Sequence, residues 1–212
     1  ISGRGVGMDV VHSEIKQMGG LIDIDSKLVK VNRIPRPPKG KSIGFHQDAS
    51  YTDWVVPAEM TSCWISLDDT TSNRGTINYV RGSHLWKISS PIEQFHGPTN
   101  PLMELEAAAK CEGKKPELVP VEVSAGGGAI HHGQTWHGSL DEMEGTGRRS
   151  LVIHCISSDA HFHKENVGAI YGRYRRAGSL QLDETFFPVL WTKDGNRSTF
   201  IDAYLVGGWG NV

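Results

Sequence analysis

A histidine and an aspartate stand two residues apart in the stretch GFHQDASYTDW, at His46 and Asp48, with aromatic residues on both sides. If this stretch is a β-strand, residues i and i+2 face the same side, so the imidazole and the carboxylate can reach one point. These donors suit a divalent metal, and one more imidazole would complete the two-histidine, one-carboxylate set that leaves three positions open on Fe(II). The spacing alone is common, and two ordinary polar residues on a strand are the alternative.

A candidate for the second imidazole is His137, far downstream in GGGAIHHGQTWHGS. We predict a loop at this histidine, so the fold must bring it to the His-x-Asp pair. His131 and His132 compete for the same role. Because adjacent residues on a strand point to opposite faces, at most one of them can look inward. We interpret each as an ordinary strand histidine, or at most as a hydrogen-bond partner of a metal ligand.

An arginine could hold an acidic co-substrate beside such a metal. Arg148 opens a predicted strand in GTGRRSLVIH, eleven residues after His137 (137 to 148). A guanidinium presents parallel donors that match a carboxylate in a bidentate pair. A small dicarboxylic acid that chelates iron at one end would need such an anchor at the other. Its neighbour Arg149 is the predicted surface residue, since strand neighbours alternate faces.

Short strands separated by turns must position these side chains. One internal helix is predicted in NPLMELEAAAKCEG and ends at Gly113. About eight segments have the alternation and turn boundaries of strands. The clearest are LVKVNRI, IGFHQD, MTSCWISL, TINYV, LVPVEV, AIHH and RSLVIHCIS. This pattern is typical of a mainly β fold, a sandwich or a small barrel of jelly-roll type, in which strand ends converge at one mouth.

Composition narrows the possible partners. A chain of 212 residues fits one domain, and its net charge of −2 gives no sign of a surface for nucleic acid or polyphosphate. The three cysteines are odd in number and far apart, so the sequence favours neither a disulfide framework nor a zinc site, and a reducing, cytoplasmic setting fits best. No apolar run is long enough for a membrane span. These features give no sign of a nucleic-acid or membrane partner and leave the oligomeric state open.

The first 26 residues have a different character. The segment SGRGVGMDVVHSEIKQMGG is a glycine loop followed by a short amphipathic helix. It resembles the glycine-rich ATP-lid box of chemotaxis-type histidine kinases, but the sequence contains neither the asparagine-bearing helix nor the DxGxG box of that family. We therefore interpret residues 1–26 as an appendage and residues 27–212 as the core domain.

Four motifs in order resemble the phytanoyl-CoA dioxygenase family over about residues 30–212. They are HQD, GTINYVRGSH, WHGS and the arginine eleven residues later, and the tail phrase LDETFFPVLW supports them. The resemblance implies a double-stranded β-helix and an oxygenase that uses Fe(II), 2-oxoglutarate and O₂. It assigns iron to His46, Asp48 and His137, and the distal carboxylate of 2-oxoglutarate to Arg148. It also implies that Ser139 assists Arg148 and that Trp64 lines the co-substrate pocket.

The implied reaction hydroxylates a small organic metabolite or an acyl-CoA substrate, with release of succinate and CO₂. Halogenating relatives carry a small residue at the position of Asp48, so an intact carboxylate favours hydroxylation. Tyr51, Trp54 and Trp86 are candidates for the border of the substrate cleft. Two alternatives stay open. One is an inactive jelly-roll scaffold, favoured by the missing N-terminal region of the family, and the other is a nucleotide-binding fragment of a histidine kinase.

Overall fold

The computed structural model describes residues 27–36, 39–168 and 170–201. The kinase-like segment predicted at 1–26 lies outside them. The described chain is mainly β, with ten strands and one α-helix. The strands are β1 (Lys27–Arg36), β2 (Ile43–His46), β3 (Val55–Val56), β4 (Met60–Ser66), β5 (Ile77–Val80), β6 (Leu118–Pro120), β7 (Gly128–His132), β8 (His137–Ser139), β9 (Arg148–Ile156) and β10 (His161–Phe162), and the helix is α1 (Met103–Cys111).

Eight of these strands form two four-stranded sheets. The first sheet has the order β1-β9-β4-β7, and the second has the order β2-β8-β5-β6. Strand β8 pairs antiparallel with both β2 and β5, and β7 pairs antiparallel with β4. Non-consecutive strands are therefore neighbours, which brings residues that are distant in sequence to the same part of a sheet.

The described chain divides into two compact units. The larger unit consists of residues 32–51 and 61–152 and contains the whole second sheet. The smaller unit takes its described residues from 27–31, 52–60 and 153–201 and contains the two-stranded sheet of β10 and β3. In the part of the chain that the structure describes, no helix is long and apolar enough to cross a bilayer.

Helix α1 packs its apolar side onto the second sheet in the larger unit. Leu105 and Ala109 stand four residues apart and share a face of the helix, where both are buried. They join a hydrophobic cluster with Phe45 and Trp86. Trp86, which we predicted at the substrate cleft, is therefore a core residue. The helix ends as the sequence predicts, since Gly113 adopts the left-handed conformation that commonly follows a helix.

A glycine in β8 allows β2 to lie close. A Cβ atom at Gly138 would lie 2.6 Å from the ring of Phe45, closer than carbon atoms approach without repulsion. Gly138 therefore lets the Phe45 ring pack against the backbone of β8. This packing fixes the spacing of β2 and β8, which carry three of the candidate site residues, His46, His137 and Ser139.

The smaller unit has its own aromatic core. Trp54 is 2% exposed and packs in a cluster with Phe162 and Phe187, and the Tyr171 ring stacks on it with the centroids 4.2 Å apart. We predicted Trp54 at the border of the substrate cleft, and the structure corrects this to a core position. The sequence misled because a buried tryptophan in a core and one in a cleft have the same local pattern.

Candidate metal centre

Three buried side chains meet at one point of the larger unit. His46, Asp48 and His137 offer ligand atoms that all lie within 4.8 Å of one another. Oδ1 of Asp48 is 3.5 Å from Nε2 of His46 and 3.7 Å from Nε2 of His137. Donors about 2.1 Å from a cation and at right angles to each other are roughly 3 Å apart, so a small inward adjustment would let these atoms share one ion. The donor set fits a divalent metal.

The chain reaches this geometry by turning at the end of β2. The strand ends at His46, and Asp48 begins a 3₁₀ turn over Asp48–Tyr51. The two donors therefore converge through a turn, and our interpretation that both lie on one strand was wrong. The N–H of Ala49 donates to the carbonyl of Gly133 at 2.9 Å, which ties the turn to the loop after β7.

Gln47, between the two donors, anchors the same turn. It is fully buried, and its Nε2 donates to the carbonyl of Gln134 at 2.7 Å. Its Oε1 accepts the backbone N–H of Ser89 at 2.8 Å. These side-chain hydrogen bonds of Gln47 hold the chain in place just after His46, where the pairing of β2 with β8 ends.

His137 begins β8 and does not lie in the loop that we predicted. It is the direct cross-strand partner of His46 on one side and of Tyr79 on the other. A three-residue strand with a glycine at its centre has too little alternation to be recognised from sequence. Its pairing with β2 and β5 makes it a strand and carries the imidazole to Asp48.

Both imidazoles are oriented with Nε2 toward Asp48. Nδ1 of His46 is 2.8 Å from the carbonyl of Gly44, and Nδ1 of His137 is 2.9 Å from the carbonyl of Thr135. Because a carbonyl only accepts, each Nδ1 carries a proton, and in a neutral ring Nε2 then keeps its lone pair. Burial, reinforced by the neighbouring His131 and His46, holds the pKa of His137 well below its usual value. A neutral imidazole with a free Nε2 is the form that binds metals.

The second oxygen of Asp48 has its own partners. Oδ2 accepts a hydrogen bond from the Ser62 hydroxyl at 2.5 Å, and Nε2 of His131 lies 3.2 Å from it. His131 is buried and His132 is exposed, which confirms that only one of this pair looks inward. Tyr79 extends the network, with its hydroxyl 2.9 Å from Nδ1 of His131.

Arg148 is buried and firmly held. Its Nε and Nη2 donate to the carbonyl of Gly75 at 3.1 and 2.7 Å, and Nη1 donates to Oγ of Ser150 at 3.2 Å. The guanidinium carbon lies 5.4 Å from the centroid of the buried Trp64 ring, within the range of a cation–π contact. Arg149 is exposed and pairs with Asp68 at 2.8 Å, as we expected of the surface member.

Of the other predicted site residues, Ser139 is buried near His137 and Tyr51 is partly exposed near His46. Ser139 is buried on β8, two residues after His137, and its Oγ accepts the N–H of Ile43 at 3.3 Å. The Tyr51 ring lies 6.2 Å from that of His46 and is partly exposed. Phe95, 4.4 Å from the His46 ring, also borders it.

Sequence reasoning missed Phe95, Ser62 and Tyr79. A signal existed for Ser62, which stands two residues before Trp64 on the same face of β4. Tyr79 lies within GTINYVRGSH, a stretch already singled out, but nothing local distinguished it from a core aromatic. Phe95 had no signal, since it lies in an irregular segment outside the named strands and helices.

The family assignment follows from the match of residues 9–150 to the sequence pattern described as Phytanoyl-CoA dioxygenase (PhyH). The match covers more than half of the chain. The chain belongs to the phytanoyl-CoA dioxygenase family. The matched region includes His46, Asp48, His137 and Arg148, and it begins within the 1–26 segment that we interpreted as an appendage.

Curated plant relatives of the phytanoyl-CoA dioxygenase family show the same similarity. The chain is 27% identical over 139 residues to "Phytanoyl-CoA dioxygenase 1" of Oryza sativa subsp. japonica, which covers 62% of the chain and 45% of the relative. It is 29% identical over 124 residues to "Phytanoyl-CoA dioxygenase" of Arabidopsis thaliana, with 58% and 42% covered. The chain thus spans less than half the length of these relatives.

Solved structures confirm the fold class. The epimerase SnoN in complex with Fe³⁺, alpha ketoglutarate and nogalamycin RO has a TM-score of 0.58 at 21% identity, with 77% of this chain and 64% of that chain covered. The carbocyclase SnoK has a TM-score of 0.55 at 22% identity, with 75% and 59% covered. The fold is the double-stranded β-helix that we predicted.

Proposed function

We propose that this chain carries the catalytic core of an Fe(II)- and 2-oxoglutarate-dependent dioxygenase that hydroxylates a small organic substrate. The observation that supports this most directly is the convergence of His46, Asp48 and His137 to within 4.8 Å in a member of a dioxygenase family. In the balanced reaction, 2-oxoglutarate, O₂ and a substrate C–H give succinate, CO₂ and a substrate C–OH. One oxygen atom enters succinate and the other enters the new hydroxyl.

His46, Asp48 and His137 would hold the iron. Two imidazole nitrogens and one carboxylate oxygen would leave positions on the ion open for co-substrate and O₂. Bound iron would supply the redox chemistry that couples oxidation of 2-oxoglutarate to attack on a C–H bond. The protein contributes a buried site and fixed donors. Both Nδ1 atoms are tied to backbone carbonyls, so the rings cannot turn their Nε2 atoms away without losing a hydrogen bond.

Arg148 would bind the distal carboxylate of 2-oxoglutarate. Its guanidinium is buried and positioned by the Gly75 carbonyl, the Ser150 hydroxyl and the Trp64 ring. A cation held at low dielectric binds an anion more strongly than one in water does. Trp64 and Ser139 would line this part of the pocket, Trp64 through its ring and Ser139 through its hydroxyl.

The substrate would approach past Tyr51 and Phe95. Both rings border His46, and Tyr51 is partly exposed. An apolar rim of this kind suits a substrate with an aliphatic or aromatic carbon skeleton, either as a free metabolite or as an acyl-CoA. Three widely spaced cysteines and a net charge of −2 fit a cytoplasmic enzyme without a nucleic-acid partner.

The test combines ligand binding and turnover. Anaerobic addition of Fe(II) and 2-oxoglutarate should give a weak visible charge-transfer band, and O₂ should then release succinate in the presence of a substrate from a panel of free acids and acyl-CoA esters. His46→Ala should abolish both signals. His84→Ala, which removes an exposed histidine, is the control. A chain that binds Fe(II) but yields no succinate with any substrate would support an inactive scaffold.

A further inference from the structure

A buried hydrogen-bonded network lies behind the proposed iron ligands. Tyr79 contacts His131, His131 contacts Oδ2 of Asp48, and Ser62 donates to the same oxygen. Neither the motifs nor the chemistry proposed above accounts for two polar groups on one carboxylate oxygen and a third behind them. Burying polar groups costs free energy unless they are mutually satisfied, so their grouping at this point calls for a role.

The network joins the two sheets. Ser62 on β4 and His131 on β7 are direct cross-strand partners in the first sheet, so their side chains face the same way. Tyr79 is on β5 in the second sheet, where its cross-strand partner is His137. The network therefore links β5, which pairs with the strand of His137, to β4 and β7, whose side chains contact the carboxylate of Asp48.

The direction of each hydrogen bond follows from the carboxylate. Ionised Asp48 only accepts, so Nε2 of His131 must carry a proton and donate. In a neutral imidazole Nδ1 is then an acceptor, and the Tyr79 hydroxyl donates to it at 2.9 Å. Burial, followed by the charge of Asp48, raises the pKa of Tyr79, which keeps the phenol protonated as a donor. The negative charge of Asp48 therefore determines the direction of the hydrogen bonds made by Ser62, His131 and Tyr79.

We infer that Ser62, His131 and Tyr79 are positioning residues: Ser62 and His131 occupy Oδ2 of Asp48, Tyr79 holds His131 in place, and only Oδ1 is left to the metal. Oδ1 is the atom that faces both Nε2 atoms, at 3.5 and 3.7 Å. A carboxylate free to rotate could bind through both oxygens and take one further coordination position. Holding Oδ2 would keep that position open for co-substrate or O₂. The inference rests on the proposed metal centre, but it does not require a particular substrate.

A competing role for His131 is that of a fourth ligand. Its ring centroid is 4.3 Å from that of His137. In the present geometry its Nε2 is engaged with Oδ2 at 3.2 Å, and its Nδ1 is engaged with Tyr79. A ligand role would require His131 to give up the first of these bonds and to lose the proton on Nε2. The two roles of His131, hydrogen-bond donor and metal ligand, predict different results for His131→Gln, which keeps an N–H donor but is a poor metal ligand. A donor role predicts near-normal metal affinity, and a ligand role predicts its loss.

The experiment is a titration of the metal-free protein with Co(II), followed by the visible d–d absorption of the bound ion. His131→Phe removes the donor and fills the space, and it should weaken Co(II) binding about 10–100-fold and change the absorption spectrum. His131→Gln restores an N–H donor to Oδ2 and should recover most of the affinity and the wild-type spectrum. Ile130→Phe, an outward-facing change on the same strand, should leave both unchanged.

Two further variants keep the inference testable if His131→Phe fails to fold. Ser62→Ala and Tyr79→Phe each remove one hydroxyl with little change of volume, and each should weaken Co(II) binding about fivefold to tenfold. Wild-type affinity and spectrum in both variants would overturn the inference. So would a His131→Gln variant that remains as impaired as His131→Phe, since this is the result expected of a metal ligand.

The outcomes separate this inference from the proposed function. If the wild-type protein binds Co(II), loses it in His46→Ala and shows the predicted variant effects, but releases no succinate, the dioxygenase proposal fails and the positioning role stands. If it releases succinate while the network variants bind Co(II) normally, the positioning role fails and the dioxygenase proposal stands. If the wild-type protein does not bind Co(II) at His46, both fail.

Discussion

The rings of His46 and His137 lie with their centroids 4.3 Å apart, although the two residues are separated by most of the larger unit's sequence. They are direct partners across β2 and β8, and each ring is held by the carbonyl two residues before it. Strand pairing therefore determines the distance between the imidazoles, and local hydrogen bonds determine which nitrogen of each faces Asp48.

Replacing the carboxylate should strongly weaken metal binding while the fold is kept. Asp48→Asn retains the size of the side chain but removes the charge that three neighbouring imidazoles face. We expect Co(II) affinity to fall by more than the roughly 10–100-fold typical of residues outside the coordination sphere. Calorimetric titration measures the loss. Unchanged affinity would mean that Asp48 is not a ligand.

Replacing the buried guanidinium should affect the co-substrate and spare the metal. Arg148→Lys loses the planar fork that binds Gly75 and that could pair with a carboxylate. Hydrogen bonds to charged groups are worth about 1.5–3 kcal/mol, so KM for 2-oxoglutarate should rise about 10–100-fold. Co(II) affinity should not change.

The matched control for that substitution is Arg149→Lys, on the same strand but exposed to solvent. It should leave KM for 2-oxoglutarate at the wild-type value. An equal rise of KM in both variants would show that the effect comes from the strand as a whole and not from the position of the Arg148 guanidinium.

The close approach of β2 and β8 predicts coupled stability effects. Gly138→Ala places a Cβ atom 2.6 Å from the Phe45 ring and should lower the free energy of unfolding by about 1–3 kcal/mol. In Phe45→Leu the smaller side chain leaves room, so adding Gly138→Ala to that background should cost less. Urea denaturation of the wild type, the two single variants and the double variant gives the coupling energy between positions 45 and 138. Strictly additive effects on the free energy of unfolding would contradict the packing argument.

The pair of Asp68 and Arg149 predicts a pH-dependent contribution to stability. Hydrogen bonds from Arg149 hold the pKa of Asp68 below its ordinary value of 3.8. Because the folded-state pKa is the lower one, the stabilisation is present above about pH 4 and is lost as the pH falls through the folded-state pKa.

Asp68→Asn measures this contribution. The substitution should cost about 1 kcal/mol of unfolding free energy at pH 7, a modest value because the pair is partly exposed. The cost should shrink toward zero near pH 2. Urea denaturation at the two pH values gives the comparison, and a cost that is the same at both would argue against the ion pair.

Sequence alone predicted the mainly β fold and singled out the three residues whose ligand atoms the structure places within 4.8 Å of one another. His46, Asp48, His137 and Arg148 could be chosen because their types are chemically distinctive and their order matches a family. The mechanism of convergence was not predictable. Asp48 reaches its position through a turn, and His137 through a three-residue strand, and both depend on partners distant in sequence.

The surrounding residues were harder to predict because burial does not depend on residue type alone. Trp54 and Trp86 were chosen as large aromatics near the motif, yet both are in hydrophobic cores. Ser62 and Tyr79 were passed over as ordinary strand residues, yet they contact the network around Asp48. Which face of a strand meets the site is decided by how the sheets pair, and the local sequence does not specify that pairing.

The pairing of Ser62 with His131 means that both contacts to Oδ2 of Asp48 depend on the alignment of β4 and β7. A slip of β7 by one residue along β4 would turn every side chain of β7 to the other face, and Ile130 or His132 would then stand beside the carboxylate. The aliphatic side chain of Ile130 could donate no hydrogen bond to Asp48. If the proposed metal centre forms, an error of alignment would appear as weaker metal binding, so Co(II) occupancy would report on the correct pairing of β4 and β7.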